Sequence, residues 1–444
     1  MTDSVNPRSQ DSRASLALLI FIIAAHIAYF LPQSSSITEV TQSYPSTACP
    51  GSIGDAKATA LLPSKSIEVR DVARPQSLQK KNGLGSYSLN RGAILVEGNA
   101  ANTFALQSRV GKWTAATICT VSDPTTWFVG GTANVTSQSK LVLVNSGLSD
   151  AILDVTSFSE NGPTQSLPVS VKSSSEKIIR VDALNPGSER VVIKVETRSG
   201  RVTAFLLDER VRGLTNVGGD FVAPAGTPTK DILIPALPIK VGSSGSVIHR
   251  VRIMTTGKID ATASIEVVSP DGVFIPVGFG NLKLTSQVVR DIDLSEVDLG
   301  SKTFALKISA SEPIVAGVFT EVKSGPISDY MWSSAATRFG SVTMNLYGLE
   351  PIMSFAADRI QIDVSWRDNR GKSDSKTLIG EEIVNWRVPA NTRVITIINR
   401  SGAVGSMTWS TRDGVTHLPI SSSTNLESAT KPIPDIAVIL PQEK

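Results

Sequence analysis

Arg190-Val-Val-Ile-Lys-Val-Glu196, a break at Ser199-Gly200, then Val202-Thr-Ala-Phe-Leu-Leu-Asp-Glu209 is the stretch on which the fold turns. It recurs as Thr303-Phe-Ala-Leu-Lys-Ile-Ser309, Ser311-Glu-Pro313 and Ile314-Val-Ala-Gly-Val-Phe-Thr-Glu321. A third copy reads Arg393-Val-Ile-Thr-Ile-Ile-Asn399, Ser401-Gly402 and Val404-Gly-Ser-Met-Thr-Trp-Ser-Thr411. A worn copy precedes them in Ile94-Leu-Val-Glu97 and Phe104-Ala-Leu-Gln-Ser-Arg109. The phase puts Val191, Phe304 and Val394 on one face and turns Lys194 and Lys307 away, the alternation of a half-buried antiparallel hairpin. Apolar runs alternate with turn clusters such as Asn185-Pro-Gly and Ser269-Pro-Asp-Gly, and no helical period follows the N-terminal segment.

Each copy is followed by an aromatic stretch read as opening the next unit: Trp127-Phe-Val, Phe221-Val-Ala and Met331-Trp332. The repeat of roughly one hundred residues exceeds a propeller blade and suits a sandwich of about seven strands. The expected architecture is all-β, tandem immunoglobulin-like β-sandwich modules after one N-terminal transmembrane helix. The expected boundaries are a cytoplasmic tail 1–13, an anchor 14–32, a flexible linker 33–48, a short β unit 49–112, modules 113–212, 213–323 and 324–416, and a C-terminal tail 417–444. The short unit invites completion by a borrowed strand, for which Asp435-Ile-Ala-Val-Ile-Leu440 is the candidate.

The uncharged run Ala14 to Leu31 is long enough as a helix to cross about 30 Å of hydrocarbon. Arg8 and Arg13 precede it and no charge follows before Glu39, which points to a cytoplasmic N-terminus and an extracytoplasmic body. A cleaved signal peptide ending near Ser34-x-Ser36 is the alternative, and would make the body secreted. Cys49 and Cys119 both fall on the outer side, where a disulfide persists, and are expected to pair; two separately buried thiols are the other reading. A net charge of +3 without a basic run excludes a nucleic-acid partner.

The chain offers little for chemistry. Only His26, His249 and His417 are present, none with metal-ligand spacing, and no cofactor motif stands out. Gly371-Lys-Ser373 lacks the upstream glycine of a phosphate loop and reads as a hairpin turn. Three Ser-x-x-Lys matches lack the accompanying elements of penicillin-interacting enzymes. Asp291 to Asp298 is acidic, but Glu296 stands where a calcium loop needs glycine, so Asp291 and Asp293 read as the solvent face of a strand. Glu209 and Glu321 read as edge salt bridges. Trp366, Trp386 and Trp409 share the phase of core residues. Trp113 and Trp332, with Tyr330, fall outside clear alternation; they are candidates for a binding surface, or for packing between modules.

Cys49-Pro50, Trp127-Phe-Val-Gly-Gly131, and Leu141-Val-Leu-Val-Asn-Ser-Gly leading to Ser159-Glu-Asn-Gly-Pro163 resemble an uncharacterised family of actinobacterial, membrane-anchored extracytoplasmic β-repeat proteins. Leu233-Ile-Pro-Ala-Leu-Pro238 departs from its pattern. The resemblance implies no activity; it implies an envelope setting, with an unidentified protein or glycan as partner. The expectation is a non-enzymatic envelope scaffold or interaction protein, with a glycan-binding accessory of polysaccharide assembly as the second reading.

Overall fold

The computed structural model describes residues 19–22, 39–40, 47–63, 66–82, 85–90, 92–98, 102–238, 246–299, 303–324, 327–421 and 429–430. Two compact units divide the chain. One comprises Met1–Ser43 with Leu426–Lys444, and in it Glu39–Val40 pairs antiparallel with Ala429–Thr430. Of the expected anchor 14–32, only Leu19–Ile22 lies among the described residues, and it is helical. No helix among the described residues is long and apolar enough to cross a membrane. His26 and Asp435 to Leu440 also lie outside them.

The second unit, Tyr44–Asn425, is all-β and sandwich-like, and its strands group into four modules. The first spans residues 47–118 in two four-stranded sheets, each built from its own sequence among the described residues. The second spans 125–222, again in two sheets. The third (229–334) and fourth (341–420) each form a single sheet that bends back on itself through long strands, Phe304–Ser324 and Ile352–Asp368. These long strands serve both halves of their module: Phe304–Ser324 pairs with Ala261–Ser269 through its first half and with Ser246–Thr255 through its second.

Three expectations need correction. The repeated strand pair is not a hairpin. Val192–Ser199 pairs with Thr125–Val129 and Ala151–Ser159, whereas Val202–Arg212 pairs with Lys140–Asn145 and Thr215–Val222, so the chain crosses from one sheet to the other at the break. Both strands alternate because both face the same core, a pattern that periodicity cannot separate from a hairpin. Gly200 makes the crossing, with φ +90° and a Cβ position 2.5 Å from Ala151 Cβ. In the third copy the phase slips by one: Ile395 and Ile397 are buried and Val394 is partly exposed.

The boundaries also move. Trp113–Ile118, Thr215–Val222, Ile327–Ser334 and Val415–Ile420 each pair with the strand before them and close a module. The expected boundaries at 113, 213 and 324 therefore fall one strand early, and that at 417 cuts through the closing strand. The aromatic segments at 221 and 331 are module ends; only Trp127-Phe-Val opens one. The linker 33–48 is likewise structured at its end, since Thr47–Cys49 is a buried strand paired with Ile94–Gly98.

Apolar clusters join the modules in a closed cycle. Trp113 and Leu95 pack with Phe205 and Phe221 between the first and second. Trp332, Tyr330 and Phe319 enter the second module's core from the third. Met331 meets Val415 between third and fourth, and Leu61, Phe104 and Ala116 of the first join the fourth module's core beside Trp409.

Cys49 and Cys119 are bonded to each other, beside a bridge in which Ala48 and Thr120 exchange backbone hydrogen bonds of 2.9 and 3.1 Å. The bond fastens the entry of the first module to its exit across 70 residues. Denatured without reductant, the chain should take up no thiol label; stoichiometric labelling would refute the pairing. The Cys49→Ser/Cys119→Ser variant should lose roughly 4 kcal/mol on the loop-entropy scale, read from the shift of its denaturant midpoint.

Candidate functional site

The four closing strands are the free edges of their sheets, and they converge on one another at the centre of the module cycle. An edge strand turned inward carries backbone N–H groups that no ladder satisfies. Asp329, on the third module's closing strand, accepts them. Its Oδ1 takes the Gly219 N–H at 3.0 Å and its Oδ2 the Val415 N–H at 3.0 Å, and the Thr114 backbone N–H also bonds to it. One carboxyl group thus holds all three other modules. Asp220 repeats the device: Oδ2 accepts the Trp332 N–H at 2.9 Å and Oδ1 the Thr416 hydroxyl at 2.9 Å.

Glycine is required around these carboxyls. A Cβ on Gly414 would lie 2.0 Å from Asp329 Oδ2 and 2.6 Å from the Thr114 nitrogen, and one on Gly218 would lie 2.4 Å from Asp329 Oδ1. Gly218 also has φ +141°, at the irregularity where Thr215–Val222 slips register against Val202–Arg212.

Tyr330 and Trp332, offered by the sequence as surface, are buried here, and Trp113 is too. This overturns their reading as a binding surface. The Trp113 Nε1–H donates to Glu209 at 3.1 Å, the Tyr330 hydroxyl to the Asp208 carbonyl at 2.9 Å, and the Trp332 Nε1–H to Asp208 Oδ2 at 2.9 Å. Their sequence pattern is irregular because each serves a neighbouring module's core as well as its own sheet. Glu209 is no edge residue either: it is buried, and pairs with Arg109 of the first module and with Lys140. Glu321 does pair with Lys323 at 3.0 Å, but on a strand with neighbours on both sides rather than at an edge.

Charge is sorted sharply. Asp208 is buried, yet Arg210, Ser139 and Trp332 hold its carboxyl below the usual range against the cost of burial. The Arg210 guanidinium lies 4.7 Å from the Phe319 ring and 5.0 Å from that of Tyr330. Asp220 stands directly opposite Asp208 in the sheet and has no cation partner among the described residues; burial pushes it well above the usual range, and nearby Asp329 pushes it further. Burial also raises Asp329, against the backbone N–H groups that favour its charged form. Asp291 corrects the sequence reading: it leaves the solvent face and holds Arg252 through two bonds of 2.8 and 3.0 Å, while Asp293 stays exposed. Burial lowers His249 and His417 to about 4, against the carbonyls of Pro238 and Pro235 respectively.

Several hollows open at the surface of the described residues. Val273, Phe274, Ile275 and Val277 are exposed together beside Asp293, Glu296 and Asp298, around a hollow of about 590 Å³. A cleft of about 340 Å³ lies between the first and fourth modules. No group of three or more metal-ligating side chains occurs among the described residues.

These features define a multi-module, disulfide-bonded β protein whose buried polar groups fasten module to module. The chain belongs to a family of unknown function, DUF5719, whose model matches residues 93–377. No curated protein matches it. Among solved structures it aligns with a tetra-tandem repeat from the extending region of a large adhesion protein, over 83% of this chain and 92% of that one, at 11% identity and a TM-score of 0.09. That score carries no argument about fold.

Asp329→Asn should cost roughly 1–3 kcal/mol, because an amide –NH₂ set against backbone N–H groups leaves a buried donor unpaired. Gly414→Ala should destabilise comparably, while Gly340→Ala, with open space around it and no positive φ, should be milder. The pH dependence has two signs. Stability from Asp220 and Asp329 is full below about 3.8 and is lost as pH rises through their raised folded values. Stability from the histidines is full above about 6.5 and is lost as pH falls through about 4. Denaturant midpoints of Asp220→Asn should therefore fall less steeply than wild type as pH rises; an unchanged slope would show that folding does not shift its carboxyl at all.

Proposed function

We propose that this protein is a non-enzymatic scaffold or interaction protein of the cell envelope, acting outside the cytoplasm and tethered through segment 14–32. The observation that carries the reading is the fate of its strongly perturbed groups. Shifted carboxyls and histidines in a cleft would mark an active site. Here Asp208, Asp220, Asp329, Tyr330 and His249 are all buried and bond strands to one another, and His417 is buried with them. The Cys49–Cys119 bond supports an oxidising compartment. The exposed apolar segment 273–277 with its acidic rim supports a protein partner, since contiguous apolar surface of this kind is a mark of interaction sites. A glycan-binding accessory is the second reading, favoured by the cleft between the first and fourth modules. Immunoglobulin-like topology within each module belongs to the same proposal.

With a tag after Lys444, protease added to spheroplasts should remove the tag and degrade the body. Full protection, under conditions that digest a known outer-surface control, would sink the extracytoplasmic assignment.

A further inference from the structure

We infer that the cleft between the first and fourth modules binds a short neutral oligosaccharide. One wall is the outward face of the sheet formed by Lys57–Leu62, Gly85–Ser88 and Phe104–Arg109. Its register brings Thr59, Ser86, Ser108 and the aliphatic Leu61 and Leu106 onto a single side. Trp409, Tyr347 and Asp413 of the fourth module form the other wall. Among the described residues the side chains of Lys57, Thr59, Ser86 and Ser108 bond to no other protein group, so the wall offers uncommitted donors and acceptors between patches of hydrocarbon.

The indole Nε1–H of Trp409 is buried and has no partner. A buried donor left unpaired is costly, and it belongs to a side chain that lines the cleft. Tyr347 stays half exposed with φ +52°, braced by the Arg393 guanidinium 4.4 Å from its ring. A pyranose presents an apolar C–H face and a rim of hydroxyls, which is the complement of this lining. Lys57 and Asp413 supply one charge of each sign, so nothing in the cleft selects a strongly anionic polymer. Its volume of about 340 Å³ lies at the small end of the ~300–1,000 Å³ span of ligand sites, which suits two or three sugar rings. This inference rests on the glycan-binding reading and names its ligand class; its failure would leave the scaffold reading in place, since a tethered scaffold needs no sugar site.

The test uses the full chain in detergent micelles, titrated calorimetrically with neutral trisaccharides of glucose, mannose, galactose, xylose and arabinose and with trigalacturonate. The ¹⁵N-labelled protein is followed at the Trp409 indole N–H, assigned by Trp409→Phe. At least one neutral sugar should saturate and shift that resonance. Lys57→Ala and Tyr347→Ala should weaken binding about tenfold or more, and Thr59→Phe should abolish it, each with the thermal unfolding midpoint of the wild type. If Thr59→Phe disturbs folding, the two exposed variants decide. The inference is overturned by no saturation with any neutral sugar, by preferential binding of trigalacturonate, by affinity unchanged in the exposed variants, or by binding that leaves the Trp409 resonance in place.

Discussion

The Asp329 carboxyl is the point on which the second unit depends, because it answers a question every closed arrangement of sheets must answer. Bringing four sheet edges together buries four rows of backbone N–H groups away from water. The edges cannot all pair with one another, and an orphaned buried N–H is costly. A side-chain acceptor shared between strands resolves this at a single place, with Asp329 taking N–H groups from Thr114, Gly219 and Val415. The glycines at 218 and 414 follow from that choice, since any Cβ there would occupy the carboxyl's space.

A second consequence is the separation of charge between Asp208 and Asp220. Two carboxylates directly opposite in a buried antiparallel pair would repel. The structure gives one of them Arg210 and leaves the other without a cation partner among the described residues, so the first stays ionised and the second is driven toward its neutral form. Such networks are weak evidence for net stability, because desolvation offsets much of the attraction. What they do supply is discrimination: Asp329 finds its donors only when the first, second and fourth modules present Thr114, Gly219 and Val415 together. A mispaired arrangement of these similar modules would leave the carboxyl buried and unsatisfied. The polar junction therefore fixes the order of modules, while aromatic side chains beside it add apolar contacts between them.

The all-β class, the repeat, the paired cysteines and the core role of Trp409 were legible in the sequence, because each rests on local pattern or on residue count. The second strand of each copy kept its phase, with Leu207, Phe319 and Trp409 all buried. The strand partners were not legible. Val192–Ser199 and Val202–Arg212 alternate identically whether they pair or face each other across a core, and only distant strands decide between the two. The junction was invisible for a related reason. Asp220 and Asp329 look like surface carboxylates in a strand, and their meaning depends on backbone groups about a hundred residues away. The faint signal was Gly218-Gly219-Asp220, where two glycines before an acid mark a close approach of another segment.

The cycle's last seam differs from the other three. First and second, second and third, and third and fourth modules are adjacent in sequence, so their contacts form with the neighbour already tethered nearby. The seam between fourth and first must instead be closed across the intervening modules, at a larger loop-closure cost. It is held by Thr114 with Thr411 at 2.7 Å, by the Gly111 N–H on Asp413 at 2.9 Å, and by Asn345 on the carbonyls of Leu62 and Gly85. Thr114, Thr411 and Asp413 also line the cleft. The polar contacts that close the ring and the walls that would receive a ligand are therefore partly the same residues. A molecule seated there would bridge the one seam that chain connectivity does not hold together.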